Sequence, residues 1–184
     1  MFIMRGAALA LLSAGVGTAL VGAARGITAW QGQDAARVEW EAQATDETPS
    51  DARQELTRLS FPVQGAEFFV WEGASKKNLL FGPARVAQSA TPGGNGNCII
   101  AAHRDTHFRI LKDVRKDQPI LVEHAGRIYR YRITALHIVA AADKTYYRPT
   151  SGPTLTLVTC YPFSYLGRAP KRFIVQAELL APGT

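Results

Sequence analysis

Two side chains in the stretch TLTLVTCYPFSYLGRAPKRFIV, residues 154–175, stand out chemically. Cys160 ends a run that alternates apolar residues with threonine, and Arg172 opens the next β-like run. A thiol at the end of a strand, two residues before Pro162, which cannot extend the ladder, belongs at a rim. There it becomes a nucleophile if a neighbour takes its proton or stabilises the thiolate. On TLVTC alone, a buried structural cysteine is an equal reading. His103 shifts the balance, because CIIAAHRDTHF repeats the design: an apolar strand ends and a titratable residue sits at its mouth. Thiol and imidazole together form the core of a cysteine nucleophile with its acid/base. The histidine is needed mainly to protonate a departing amine. Arg172 could hold a guanidinium against the oxyanion that develops during acyl transfer. Arg168 and Lys171 compete for that role in the same loop. Cys98, in NCIIAA, reads as a small hydrophobe packed in a strand.

Short β-like runs carry these residues: FPVQG, EFFVW, CIIAA, PILVEH, RIYRYRITALHIVAA, TLTLVTC and RFIVQAELL, separated by Gly, Pro, Asn or Asp. HAGRIYRYRI reads as a hairpin with Ala125 and Gly126 at its turn. GASKKNLLFGPA is the clear helical candidate among the strands. TPGGNGN is a loop and not a phosphate cradle, since it precedes a strand instead of following one and opening a helix. The pattern predicts an all-β domain over residues 61–184, a closed seven- to eight-stranded β-barrel with one or two short helices.

The N-terminal third has a different texture. From Gly6 to Ala24 the chain is uncharged, about long enough to cross a bilayer as a helix. A cleaved signal peptide and an uncleaved signal anchor both fit; the length favours the anchor over residues 1–25. Residues 26–60 read as a helical stalk. Trp30, Val38 and Trp40 have helical spacing, and Thr48-Pro49 starts a second helix whose apolar face holds Leu56 and Leu59. Either N-terminal reading puts the barrel outside the cytosol; the favoured anchor makes the protein single-pass in the plasma (inner) membrane, with the barrel on the extracytoplasmic (periplasmic) side. Apolar residues make up 47% of the chain, enough for a real core. The net charge of +6 is spread through mixed-sign runs such as RILKDVRKD, which argues against a nucleic-acid partner.

TLTLVTC followed by an arginine before a hydrophobic strand resembles the sortase signature, and IIAAHRDTHF resembles the sortase histidine segment, with Ala102 where many members have Gly. HRDTHF and CYPFSYLGRAPKRF most resemble the proteobacterial branch (class GN-type). The resemblance covers roughly residues 61–180. It implies a sortase-like barrel and a cysteine transpeptidase without a cofactor. Cys160 would be the nucleophile, His103 the acid/base and Arg172 the oxyanion or substrate-positioning residue, with His107 secondary. Thr159 would add a hydroxyl or a backbone group to the oxyanion site. Tyr146 and Tyr147, in the segment over residues 140–153, would pack on the proline of an extended LPxTG-like sorting signal or serve in loop packing. The implied partners are a protein carrying that signal at its C-terminus, cleaved between Thr and Gly, and an amine-bearing acceptor.

Other readings use the same residues. A zinc site from His103, His107 and Cys160 would need HRDTH to be helical for its histidines to share a face. A secreted cysteine hydrolase or peptidase would use the same Cys–His pair with water as acceptor. A membrane-tethered binding barrel would leave Cys160 inert. A Cys98–Cys160 disulfide would block the chemistry altogether.

Overall fold

The computed structural model describes residues 21, 23, 24, 26–42, 56–165 and 167–180. Eight strands form a closed barrel: β1 (Thr57–Phe61), β2 (Ala66–Glu72), β3 (Ala84–Arg85), β4 (Asn97–Ala101), β5 (Pro119–His124), β6 (Arg127–Ala140), β7 (Thr154–Tyr161) and β8 (Lys171–Leu179). Their order around the barrel is β1-β2-β3-β4-β7-β8-β6-β5, and β5 closes the ring by pairing with β1. The expected closed barrel is therefore observed. Alternation builds its core. Leu59 and Phe61, Ile120 and Val122, Tyr131 and Ile133, Leu155 and Leu157, and Val175 and Ala177 all lie in one interior cluster. Burying each of the larger side chains contributes about 1.5–3 kcal/mol.

The β5–β6 hairpin turns where the sequence places it. Ala125 and Gly126 have φ of 52° and 69°, the left-handed pair that a tight two-residue turn requires. The expected short helix is α2 (Lys76–Phe81), where the Ser75 hydroxyl accepts from the Asn78 amide. TPGGNGN is irregular, and at Gly93 (φ +75°) a Cβ would stand 1.9 Å from the Tyr129 ring. The Gly93 amide donates to the Tyr131 hydroxyl, tying this loop to the barrel interior.

Two expectations about the N-terminal third need correction. Leu59 is not on a helix: it is fully buried in β1, so the barrel begins at Thr57 and not at residue 61. Register explains this, because Thr57–Phe61 pairs along its whole length with β2 and supplies Leu59 and Phe61 to the core. Residues 48–55 of the expected second helix lie outside the described residues. Helix α1 (26–42) does form, but it is docked on the barrel and does not stand clear of it as a stalk. Ala29 and Ala36 are buried, and the Gln33 side-chain amide bonds both the N–H and the C=O of Phe69. Gly32 meets the Phe81 backbone so closely that a Cβ there would lie 2.6 Å from Phe81 Cβ. The proposed anchor over residues 1–25 lies, apart from positions 21, 23 and 24, outside the described residues. Among the described residues no helix is long and apolar enough to cross a membrane.

Candidate active site

Strands β4 and β7 are parallel neighbours, with Ala101 opposite Val158. Two residues further on, His103, just past the end of β4, and Cys160, near the end of β7, stand at the same level. On the other side of β7 the antiparallel strand β8 places Arg172 directly opposite Cys160. Adjacent strands lie about 4.8 Å apart. Imidazole, thiol and guanidinium thus come from one level on three neighbouring strands.

They also share a face. Side chains on a strand alternate. Leu155 and Leu157 point into the barrel, so Thr156, Val158 and Cys160 point out. The same parity sends Ile99 and Ile174 outward, and with Val158 and Tyr146 they form a second apolar cluster on that outer face. Cys160, His103 and Arg172 all line one open cavity of about 330 Å³ beyond this cluster. Cys160 is half-buried and His103 exposed. Arg172 Nη1 donates to the carbonyls of Ala169 (3.3 Å) and Lys171 (2.9 Å), which fixes the guanidinium at the rim. Lys171 faces Tyr161 in the register and does not line the cavity, whereas Arg168 does.

Thr159 sits elsewhere. It points away from the cavity, is 2% exposed, and donates its hydroxyl to the Ala102 carbonyl at 2.8 Å. The expected oxyanion hydroxyl is therefore committed to holding the end of β4, one residue before His103. The Ala102 amide is held as well, by the Val158 carbonyl. Tyr146 takes the loop-packing role of its two expected ones. It is 6% exposed, packed on Ile99, Val158 and Ile174, and burial pushes its phenol up to about 12. Its ring supports the loop over residues 141–153 and does not line either cavity described here. Tyr147 packs against it with its ring tilted by 35°, centroids 4.5 Å apart, but is 40% exposed and lines a separate cavity of about 530 Å³ with Ile99, Asn97 and Pro149. Buried Asn97 holds this loop by donating to the Tyr146 and Arg148 carbonyls and accepting from Thr156.

His107 does not join the cavity. It is 7% exposed, packs edge-on against Phe68 and bonds the Ala29 backbone of α1. Burial holds its imidazole below the usual 6.5. HRDTH runs through a turn into a 3-10 segment, His107–Asp113, so its two histidines share no helical face. Cys98 and Cys160 are both free. Cys98 pairs with Leu155, five positions before Cys160. At about 3.3 Å per residue the two thiols are far beyond disulfide reach. Cys98 is 1% exposed in the core, and burial pushes its thiol up to about 12. It is the packed hydrophobe the sequence suggests.

Arg104 escaped the sequence reading. It lines the cavity, and its Nη2 donates to the carbonyls of Tyr165 and Gly167 (3.3 Å) in the β7–β8 loop. Its guanidinium carbon lies 5.7 Å from the Tyr165 ring centroid. An arginine after a histidine carries no local signal of such a partner, which lies sixty residues away in sequence.

A closed barrel with a thiol, an imidazole and a guanidinium abreast on three strand ends has the layout of a cysteine-nucleophile protein. The comparisons with known proteins narrow this class. A family model described as the sortase domain matches residues 59–180. Sortase D of Bacillus subtilis is 35% identical over 122 residues, which is 65% of this chain and 61% of that protein. Among solved structures, Sortase A from Corynebacterium diphtheriae superposes with a TM-score of 0.65 at 26% identity, covering 71% of this chain and 63% of that one. The catalytic domain of B. anthracis SrtD gives 0.60 at 31% identity, covering 74% and 95%. The chain belongs to the sortase family. It spans about 61% of the length of the Bacillus subtilis relative.

Proposed function

We propose that this chain is a cysteine transpeptidase that cleaves an LPxTG-like sorting signal between Thr and Gly and passes the acyl group to an amine. The observation that carries this reading is the single level shared by His103, Cys160 and Arg172 on one outer face, open to one cavity. The Cys160 thiol passes its proton to His103, its sulfur attacks the threonine carbonyl carbon, and a C–S bond forms. The oxyanion faces Arg172, whose Nε and Nη2 have no partner among the described residues. When the C–N bond breaks, His103 gives its proton to the departing glycine amine. An incoming amine then attacks the thioester carbonyl, His103 takes the amine's proton, and the thiolate leaves. The acyl portion of the signal lies in the cavity lined by Ile99, Tyr147 and Pro149, with its proline near exposed Tyr147.

The test is mass spectrometry of the full chain incubated with Leu-Pro-type peptides and a primary amine. A thioester on Cys160, followed by an amine adduct and absent in Cys160→Ala, is expected. A peptide cut by a protein that still cuts as Cys160→Ala would overturn the proposal. Peptide products carrying only a free carboxylate in the presence of amine would indicate a hydrolase.

The uncharged run from Gly6 to Ala24 supports a single-pass tether in the plasma membrane with the barrel on its periplasmic side. Protease accessibility of the barrel in spheroplasts checks it; a barrel digested only after the inner membrane is lysed would refute it. HRDTHF and CYPFSYLGRAPKRF support a place in the proteobacterial branch of the family, with a dedicated target protein.

A further inference from the structure

The cavity beside Cys160 has an uneven charge. Arg104, Arg168 and Arg172 all line it, and the one carboxylate among its lining residues is that of Asp105. Asp105 forms no ion pair with any of the three among the described residues. Arg104 is held by two carbonyls of the β7–β8 loop, while its Nη1 is buried without a hydrogen-bond partner. Arg168 is exposed and has no hydrogen bond or ion pair among the described residues. Two held guanidiniums, Arg104 and Arg172, and one free guanidinium, Arg168, with one unpaired carboxylate leave a net positive cavity. Such a cavity raises the local concentration of anions.

The position of the cavity says which reactant would feel this charge. Upstream of Cys160 the outer face of β4 and β7 is covered by Tyr146, and the cavity that opens beside it, with Ile99, Tyr147 and Pro149 in its wall, has no charged lining residue. The charged cavity lies on the other side of Cys160, between the segment His103–Asp105 and the loop over residues 167–169. His103 is on this side, so this is where an amine leaves and where the next amine arrives. Resting on the proposed transfer reaction, we infer that the acceptor carries an anionic group, a carboxylate or a phosphate, within two or three atoms of its amine. Arg168 and Arg104 select it. The anion is held at the cavity wall while the neutral amine reaches the thioester carbon.

Two measurements on the full chain test this. The first needs no transfer activity. Cys160 is alkylated at low ionic strength with iodoacetate and with iodoacetamide; in each case the thiolate forms a C–S bond and iodide leaves. The ratio of the two rates is compared with that of free cysteine in the same buffer. With two net positive charges near the sulfur, the expected ratio at Cys160 exceeds that of free cysteine by about 5- to 10-fold and shrinks in high salt. Arg168→Gln lowers it several-fold, and so does Arg104→Gln. Because Arg104 also holds the β7–β8 loop, exposed Arg168 provides the variant that leaves folding unaffected. A wild-type ratio equal to that of free cysteine, or one unchanged in Arg168→Gln, overturns the anion site.

The second measurement compares acceptors on the preformed thioester. β-Alanine is set against β-alaninamide and O-phosphoethanolamine against ethanolamine, with rates corrected for the fraction of free amine. The charged member of each pair is expected to react about 5- to 10-fold faster, with the advantage lost in Arg168→Gln. The better of the two charged acceptors separates a carboxylate from a phosphate source. Equal rates within both pairs overturn the acceptor assignment even if the alkylation ratio is high. Failure to form any thioester would strike the transfer reaction and the acceptor assignment with it, while the alkylation ratio still decides whether the cavity selects anions.

Discussion

Thr159→Val separates two roles for a residue that stands next to Cys160. The substitution keeps the shape of the side chain and removes its hydroxyl. In the structure that hydroxyl is buried and donates to the Ala102 carbonyl at 2.8 Å. Valine leaves the carbonyl without this donor in a dry environment, a loss of about 1–3 kcal/mol. For a domain of this size that corresponds to a Tm lower by roughly 3–10 °C. Ala102 immediately precedes His103, so loosening β4 there also moves the imidazole. Thioester formation should slow, while alkylation of Cys160 by iodoacetamide, which needs no imidazole at the leaving group, should stay near the wild-type rate. Urea denaturation, thioester mass spectrometry and alkylation kinetics measure these quantities on one preparation. Thr159→Ser should restore most of both losses. A Thr159→Val protein with unchanged stability and a thioester rate lowered 100-fold would refute the reasoning. It would mean that the hydroxyl faces the substrate and not the Ala102 carbonyl.

Cys98→Ala should cost about 1 kcal/mol of stability and leave thioester formation intact, since Cys98 is enclosed in the barrel core. A thiol titration should count one fast thiol in the native protein and two in denaturant. Arg172→Lys keeps a charge but loses the planar guanidinium that bonds the Ala169 and Lys171 carbonyls through Nη1 alone and leaves Nε and Nη2 for an oxyanion, so kcat/KM for peptide cleavage should fall about 10- to 100-fold. His107 gives a pH signature. Burial lowers its pKa in the folded state, so above 6.5 neither state holds the proton and the stability is fully present. As pH falls below 6.5 the unfolded chain takes up the proton first, and stability is lost towards the lower folded value. His107→Phe should flatten this part of a plot of unfolding free energy against pH, measured by urea titration between pH 5 and 7.

Local chemistry made much of this protein legible in the amino-acid sequence. Alternation in TLTLVTC and RIYRYRI needs only a period of two to specify strands, and Gly126 needs only its own backbone freedom to mark the turn. The candidate groups were legible by type, because a thiol and an imidazole at strand ends serve few purposes together. What remained hidden depends on which strands become neighbours. A period of two is the same whatever strand lies alongside and whatever the register. That β4 and β7 run parallel, bringing His103 level with Cys160, follows only from closing the barrel. The same holds for the irregularity in β6 between Ile133 and Ala135. It reverses the facing so that Leu136 packs on the barrel core and Val139 joins the outer cluster beside the site. Thr159 and Tyr146 stand beside the site in sequence, yet tertiary packing turns one hydroxyl onto Ala102 and buries the other ring under its own loop. Arg104 shows the converse, since its carbonyl partners in the β7–β8 loop exist only once the chain has closed on itself. Residue types set the available chemistry; non-local pairing decided which of those groups meet.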